Sequence, residues 1–347
     1  MASLHARKPL FSFLFILCAA LLPLSSIAEP ASGVVTSVKT DAATMPSAGT
    51  LLSRLVSAVR TENYTGRLTY EHSGKLEVME VAHGVIEGEE FEKVSYLNGP
   101  YRGVIKSGRK SDCATLGSHL FTGGNVAERE LPIALRNIYQ ARVLGTERVA
   151  GRPAWILQLQ PKDEFRHGLI IAIDQATYLP TKSLVISAAG KVLERLHFVS
   201  LQLVSSFNKA FFNATKEDKQ VADRCFEYLS IKSQALLRPA WVPQGFVLSN
   251  YRHSQEDGHM ETYSDGLASF SVFTKQIKKP RKPALNIKAA QDAAANTSGV
   301  INRRAMKGAT LILIRTLVNQ RPLTQVSVIG EIPNATANRI IASVKAI

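Results

Sequence analysis

Residues 64–113 read YTGRLTYEHSGKLEVMEVAHGVIEGEEFEKVSYLNGPYRGVIKSGRKSDC. Short runs rich in Val, Ile, Tyr and Leu are interrupted at Ser73-Gly74, Gly88-Glu89, Asn98-Gly99-Pro100 and Ser107-Gly108. That spacing predicts an antiparallel meander of about five strands, with turn residues where the chain reverses. Within it, Leu76, Val78 and, less cleanly, Val81 are assigned to one face, and Glu77, Met79 and Glu80 to the other. Such a meander has to bury one face, so what covers it becomes the functional question.

Upstream, Thr50 is placed to cap a helix ending near Asn63, with Leu51, Leu52, Leu55, Val56 and Val59 forming one apolar stripe. Residues 29–48 are small and polar and read as a loose arm. Before them, His5, Arg7 and Lys8 precede the apolar run Leu10–Leu24 and the small-residue site Ser26-Ile27-Ala28. This is the pattern of a secretory leader spanning 1–28, and its apolar run is shorter than the ~20 residues a spanning helix needs. Cys18, preceded by the large Leu17, does not suit lipoprotein processing. The expected mature protein is therefore soluble and exported.

Downstream, Leu131, Ile133, Leu135, Ile138 and Tyr139 predict a weaker helix, with Pro132 near its start. Strands are then expected at Arg142–Val149, Pro153–Gln160, His167–Asp174, Leu179–Ser187 and Lys191–Leu203. About ten strands in one sheet curl, so a barrel, open or closed, with a helix against its inner face accommodates every apolar stripe. Residues 205–237 turn polar and charged, with scattered aromatics, and read as a linker or an insertion. From 238 a small α+β domain is expected, with strands at Phe246–His253, Met260–Tyr263, Ala268–Lys275, Ser298–Met306, Ala309–Val318 and Thr324–Gly330. A final helix from the Pro333-Asn334 pair carries Ile340, Ile341 and Val344.

The chain has 42 Lys and Arg; two fall in the leader, leaving 40 against 28 Asp and Glu, a net of +12. Residues 238–347 hold 15 basic and six acidic residues, so most of the excess sits there. A basic exported protein meets lipid head groups, lipopolysaccharide or an acidic protein segment, whereas export argues against nucleic acid. The sharpest basic feature is Lys278, Lys279, Arg281 and Lys282, with Arg303 and Arg304 on a following strand. These six are candidates for binding a partner or an anionic ligand, against the plainer reading of a solvated loop. Leu68, Tyr70, Val78, Phe91, Val94, Tyr96 and Val104 are candidates for an acyl-chain pocket, against ordinary core packing. Cys113 and Cys225 survive leader removal and are either a disulfide or two buried thiols.

No catalytic, cofactor or metal signature stands out. His72 and His83 lie on neighbouring predicted strands, without a carboxylate or thiol to complete a site, and read as surface or hairpin residues. Ser264 and Asp265, near His259, sit inside the turn signature ETYSDG and have ordinary turn duties.

Several stretches resemble the RseB/MucB family of periplasmic regulators of the envelope-stress sigma factor. They are YTGRLTYEHSGKLEVMEVAHG, YLNGPYRGVIKSG, PKDEFRHGLIIAIDQATYLPTKSLVISAAGKVLERLHF, WVPQGF, YSDGLASFSVF and VIGEIPNATANRI. They fall in the expected order over about residues 50–345; the 205–237 stretch and the Lys/Pro/Arg loop have no counterpart. The resemblance implies an α+β chain: an unclosed antiparallel β-barrel over 49–204, similar to the LolA and LolB carriers with helices inside, and a smaller C-terminal α+β domain over 238–347. It implies binding to the periplasmic part of an RseA- or MucA-type anti-sigma factor and protection of that factor from the first protease. Lipopolysaccharide or another acyl lipid would release it. The competing reading is a lipid or lipoprotein carrier of the LolA type without a signalling role. An exported hydrolase lacks any paired acid, base or nucleophile, no cofactor is expected, and a homodimer is left open.

Overall fold

In a computed structural model, residues 45–110, 131–222, 235, 237–255, 258–277, 300–317 and 324–346 are described. The expected leader and all but the last four residues of the arm lie outside them. Helix α1 (Ala48–Thr61) begins earlier than the sequence suggests. Its cap is Ser47, whose Oγ accepts the Thr50 N–H at 3.1 Å, so Thr50 lies inside the first turn. The five predicted apolar positions, Leu51, Leu52, Leu55, Val56 and Val59, are all buried.

The first meander has four strands: β1 (Tyr64–His72), β2 (Lys75–Ile86), β3 (Glu89–Tyr96) and β4 (Arg102–Lys110). Among the described residues the fifth expected strand does not form, because Ser107 and Gly108 continue β4 instead of turning. Helix α2 (Leu131–Ile138) leads directly into β5 (Tyr139–Val149), followed by β6 (Arg152–Pro161), β7 (Gly168–Asp174), β8 (Pro180–Ile186) and β9 (Val192–Leu203). Strand β9 pairs with β1 and joins the two meanders into one sheet, whose order, with a later edge strand β10 (Asp218–Ala222), is β10-β4-β3-β2-β1-β9-β8-β7-β6-β5. Its edge strands do not pair with each other, so the barrel is unclosed. Flat, ten strands would span roughly 48 Å at ~4.8 Å each; the right-handed twist curls them instead. Helices α1 and α2 pack inside the curve, where Leu51, Leu55, Leu135 and Ile138 share one core with Leu68, Leu157, Ile171 and Phe198.

Register decides which side chains point inward. Leu68 faces Met79, Gly66 faces Val81 and Val81 faces Val94 without interruption along β2. Met79 and Val81 therefore share the inner face, while Val78 points outward. The assignment of Val81 with Val78 is corrected by the strict period of two in an unbroken strand. The inner face also needs a glycine: a Cβ on Gly66 would lie 2.6 Å from the Phe198 ring, which rests directly on the β1 backbone.

The 205–237 stretch is not simply a linker. A short 3-10 turn, Lys209–Phe212, precedes β10 (Asp218–Ala222), which adds parallel to the β4 edge. Phe212 anchors this segment on the outer face against Ala82 and Phe91. Its polar composition hid it, because one buried aromatic ring and a few backbone bonds suffice to seat an edge strand.

The second sheet is antiparallel and holds β12 (Val247–Ser254), β13 (Gly258–Ser264), β14 (Ser269–Gln276), β15 (Val300–Lys307), β16 (Thr310–Leu317) and β17 (Thr324–Gly330). Its order is β12-β13-β14-β17-β16-β15. All six predicted strands are present, within two residues of the expected ends. Helix α3 (Asn334–Ala342) lays Ala337, Ile340 and Ile341 on Val272, Val328, Leu311 and Leu313. Val344 is not on this helix; it starts β18 (Val344–Ala346), which pairs with β11 (Leu237–Pro239). Asn334 is the first helical residue and Pro333 the cap, without a side-chain bond to the helix.

Leu55 is 2% exposed at the centre of the first core, whereas Val199 is 64% exposed. Leu55→Ala should lower unfolding free energy by about 2–5 kcal/mol, and Val199→Ala by less than about 0.5 kcal/mol, in chemical denaturation.

Candidate functional site

Beside α1, the inner face of the first sheet opens into a cavity of about 260 Å³. Alternate residues of four neighbouring strands line it: Tyr64, Leu68 and Tyr70 from β1, Met79 and Val81 from β2, Val94 and Tyr96 from β3, and Val104 from β4. Leu196 and Phe198 of β9 complete the lining. Five of the seven predicted pocket residues, Leu68, Tyr70, Val94, Tyr96 and Val104, are thus brought together. The other two are not. Val78 points away by register, and Phe91, three residues from Val94 on a strand paired to β2 without interruption, falls on the outer face against Phe212.

The lining is mainly apolar, with its charges paired. Lys106 Nζ donates to Glu92 Oε2 at 3.1 Å inside the cavity. At the rim, the Arg102 guanidinium lies 3.9 Å from the centre of the Tyr96 ring and bonds Glu77 at 3.1 Å. Burial works against charge on Glu77, but the Arg102 bond and charge hold its carboxyl below the usual range. His72 and His83 are both buried, at 1% and 3% exposure, contrary to the surface reading. They sit at opposite ends of the β1–β2 ladder, where His72 pairs with Lys75 and His83 with Tyr64, so they cannot meet.

Both sheets lie within one unit, Met45–Ile347, and two junctions join them. In the first, Arg166 reaches from the turn after β6. It donates to Asp265 Oδ2 at 2.5 Å, to the Gln244 carbonyl at 2.6 Å and to both Asp163 oxygens at 3.1 and 2.9 Å. The Arg166 and Asp265 side chains are fully shielded from solvent. Tyr139 donates to the same Asp265 oxygen at 3.3 Å. Asp265 does perform its expected turn duty, since Oδ1 accepts the Leu267 and Ala268 amides at 2.9 and 2.8 Å. Sequence reasoning missed its second role. Burial pushes the Asp265 carboxyl above its ordinary range, against the Ala268 amide and Arg166. Nearby, Thr336 donates to the Phe165 carbonyl at 3.1 Å, and Arg339 lies 3.9 Å over Trp241.

In the second junction, the tip of the β15–β16 hairpin meets the first sheet beside the cavity. Gly308 N–H donates to Ser73 Oγ at 2.7 Å and Ala309 N–H to Glu194 Oε1 at 2.8 Å. Arg303 and Arg304 are exposed on β15, an edge strand of the second sheet. Lys278, Lys279, Arg281 and Lys282 lie outside the described residues. So do Cys113 and Cys225, which follow the ends of β4 and β10 by three residues each. Those two strands run parallel and leave the sheet in the same direction. Among the described residues, no cluster of three or more His, Cys, Asp or Glu is arranged to hold a metal, and no helix is long and apolar enough to cross a membrane.

An open apolar sheet beside a charge-stitched junction with a second, smaller sheet defines a two-part binding protein. Comparison with known proteins gives the family. The MucB/RseB N-terminal domain model matches residues 47–221 and the MucB/RseB C-terminal domain model residues 232–345. The chain belongs to the MucB/RseB family. It is 28% identical over 307 residues to the sigma factor AlgU regulatory protein MucB of Pseudomonas aeruginosa, covering 85% of this chain and 89% of that protein. It is 22% identical over 323 residues to the sigma-E factor regulatory protein RseB of Escherichia coli K12, covering 88% and 92%. A crystal structure of MucB in complex with MucA(peri) matches with a TM-score of 0.64 and 28% identity, over 86% of this chain and 99% of that one.

Two predictions follow from the first junction. Asp265→Ala leaves Arg166 buried without its main counter-charge and should cost about 3–5 kcal/mol, read as a lower denaturation midpoint and faster proteolysis near Gln244. Burial pulls His167 down to about 4, so it stays neutral in the fold while an unfolded chain takes up a proton below the ordinary value of 6.5. Stability held above that value should fall by about 2 kcal/mol between pH 7 and 5, and His167→Gln should flatten the dependence.

Proposed function

We propose that this chain is a periplasmic negative regulator of a sigma-E-type envelope stress response. It binds the periplasmic domain of an RseA- or MucA-type anti-sigma factor and shields that domain from the first proteolytic cut. Lipopolysaccharide or another acyl lipid enters the cavity and releases the anti-sigma factor. Membership of a family whose relative MucB is crystallised with MucA(peri) is the observation that carries the partner assignment. The lipid assignment is supported by the mainly apolar cavity with its paired charges at Lys106 and Glu92. Two ligands bound at separate sites compete only if each binds a different arrangement better, and the polar junction at Glu194 and Ala309, beside the cavity, is suited to such a difference. The basic residues of 238–347, including Arg303 and Arg304, would add attraction for an anionic ligand or an acidic segment.

The carrier reading rests on the same cavity and is separated by the partner. Tagged mature protein should recover a membrane-anchored anti-sigma factor from envelope extract; recovery of lipoproteins alone would overturn the regulator reading. In the purified complex, lipopolysaccharide should displace the anti-sigma domain from the wild type. Val94→Trp, which fills the cavity, should raise the lipid concentration needed by about tenfold, about 1.4 kcal/mol. Displacement that is absent, or indifferent to this substitution, would remove the cavity from the mechanism.

The cysteines are proposed to form a disulfide, Cys113–Cys225, stapling β10 to β4 in an oxidising compartment. Alkylation of the unreduced mature protein should then leave both cysteines unmodified, and alkylation after reduction should label both.

A further inference from the structure

We infer that Glu194 is a positioning residue that couples the cavity to the second sheet: a ligand that moves Tyr70 releases the β15–β16 hairpin through Glu194. The inference rests on the cavity reading above and adds its route of transmission. Leu196 pairs with Tyr70 and Glu194 with His72, so Glu194 is the next inward residue of β9 beyond the cavity wall. Tyr70 is thus the diagonal cross-strand neighbour of Glu194 on this face, and burial together with the charge and hydrogen bonding of the Glu194 carboxylate pushes the phenol up. That carboxylate, 5% exposed, accepts the Ala309 amide at 2.8 Å through Oε1. One buried side chain is thus shared between a cavity-lining tyrosine and a backbone group of the other sheet.

The hairpin fits closely at this point. Gly308 has φ +61, and a Cβ there would overlap Glu194 Oε1 at 2.2 Å, so the carboxylate occupies the space where a side chain would be. Ser73 holds the neighbouring amide at 2.7 Å. A chain lying along Leu68 and Leu196 toward this end of the cavity meets the Tyr70 ring. Displacing the ring takes its hydroxyl off Glu194 and leaves a buried carboxylate short of a donor. A buried acceptor in that position rearranges, and the Ala309 amide then loses its partner. Linkage requires the converse as well: whatever pulls the hairpin away weakens ligand binding by the same factor.

The test uses the mature chain, dansyl-labelled undecanoic acid as the probe, and hydrogen exchange at the Gly308 and Ala309 amides. Saturating probe should speed exchange at both by about tenfold, within the usual range of coupling factors, while the buried Leu313 amide of β16 stays protected. Tyr70→Phe should speed the same two amides without probe, and probe should then add little. Glu194→Gln keeps an acceptor and should stay near wild type without probe, whereas Glu194→Ala should behave like Tyr70→Phe. Probe that binds wild type, is blocked by Val94→Trp and leaves both amides unchanged overturns the coupling while the cavity reading stands. Probe that fails to bind, or binds Val94→Trp equally well, overturns the cavity reading and the coupling with it.

Discussion

Arg166 and Asp265 meet at 2.5 Å with neither side chain reaching solvent, and each belongs to a different sheet. Charges of this kind add little net stability, because the attraction between them is largely offset by the loss of hydration. Their effect lies in direction. An arginine fork that must satisfy Asp265, Asp163 and the Gln244 carbonyl together accepts one placement of the β13–β14 turn and rejects others by leaving charge unpaired. The pair therefore fixes how the turn after β6 meets the smaller sheet, and the Thr336–Phe165 bond and the packing of the Phe165 ring against Trp241 and Arg339 follow from that placement.

The two sheets have their own cores. Leu51, Leu157, Ile171 and Phe198 close one, and Phe270, Val328, Leu311 and Ile340 close the other. Most of what joins them is polar or stacked. An apolar interface would hold the parts together over a range of small slips, since hydrophobic contact is non-directional. Hydrogen bonds to buried carboxylates are directional and fail over fractions of an ångström. A junction built this way has few intermediate states, which is the requirement for a ligand to shift a protein between distinct arrangements rather than deform it gradually.

Local periodicity made much of the fold legible. The turn residues of 64–98, the stripe Leu51–Val59 and the strand runs of 142–203 and 246–330 each carry their own pattern, and strands and helices appear there to within a few residues, whereas Ser107-Gly108 does not turn. Two features escaped because their causes are not local. Strand β10 exists because Phe212 finds Ala82 and Phe91 across the sheet. Asp265 looked like a turn residue because its turn bonds are local, whereas Arg166 lies 99 residues away. Leu68, Tyr70, Val94, Tyr96 and Val104 were legible as pocket residues; Met79 and Val81 were not, although the unbroken period of two in β2 puts both on the inner face.

Cavity and core are built from the same residues. Tyr64, Leu68, Met79, Val81 and Phe198 line the cavity and also belong to the core that α1 covers. Hydropathy alone therefore cannot separate a ligand site from packing here, and polar placement has to do so. In a plain core, a charge such as Lys106 beside Val94 and Val104 is a defect that packing would remove; here it is kept and neutralised by Glu92 at 3.1 Å. At the far end, Tyr70 likewise presents its ring to the apolar space and its hydroxyl to Glu194. An inner face with paired charge at one end and a shared carboxylate at the other suits an amphiphile better than it suits a helix. Because Glu194 also holds the second sheet through Ala309, such an occupant would bear on the junction from within the first sheet.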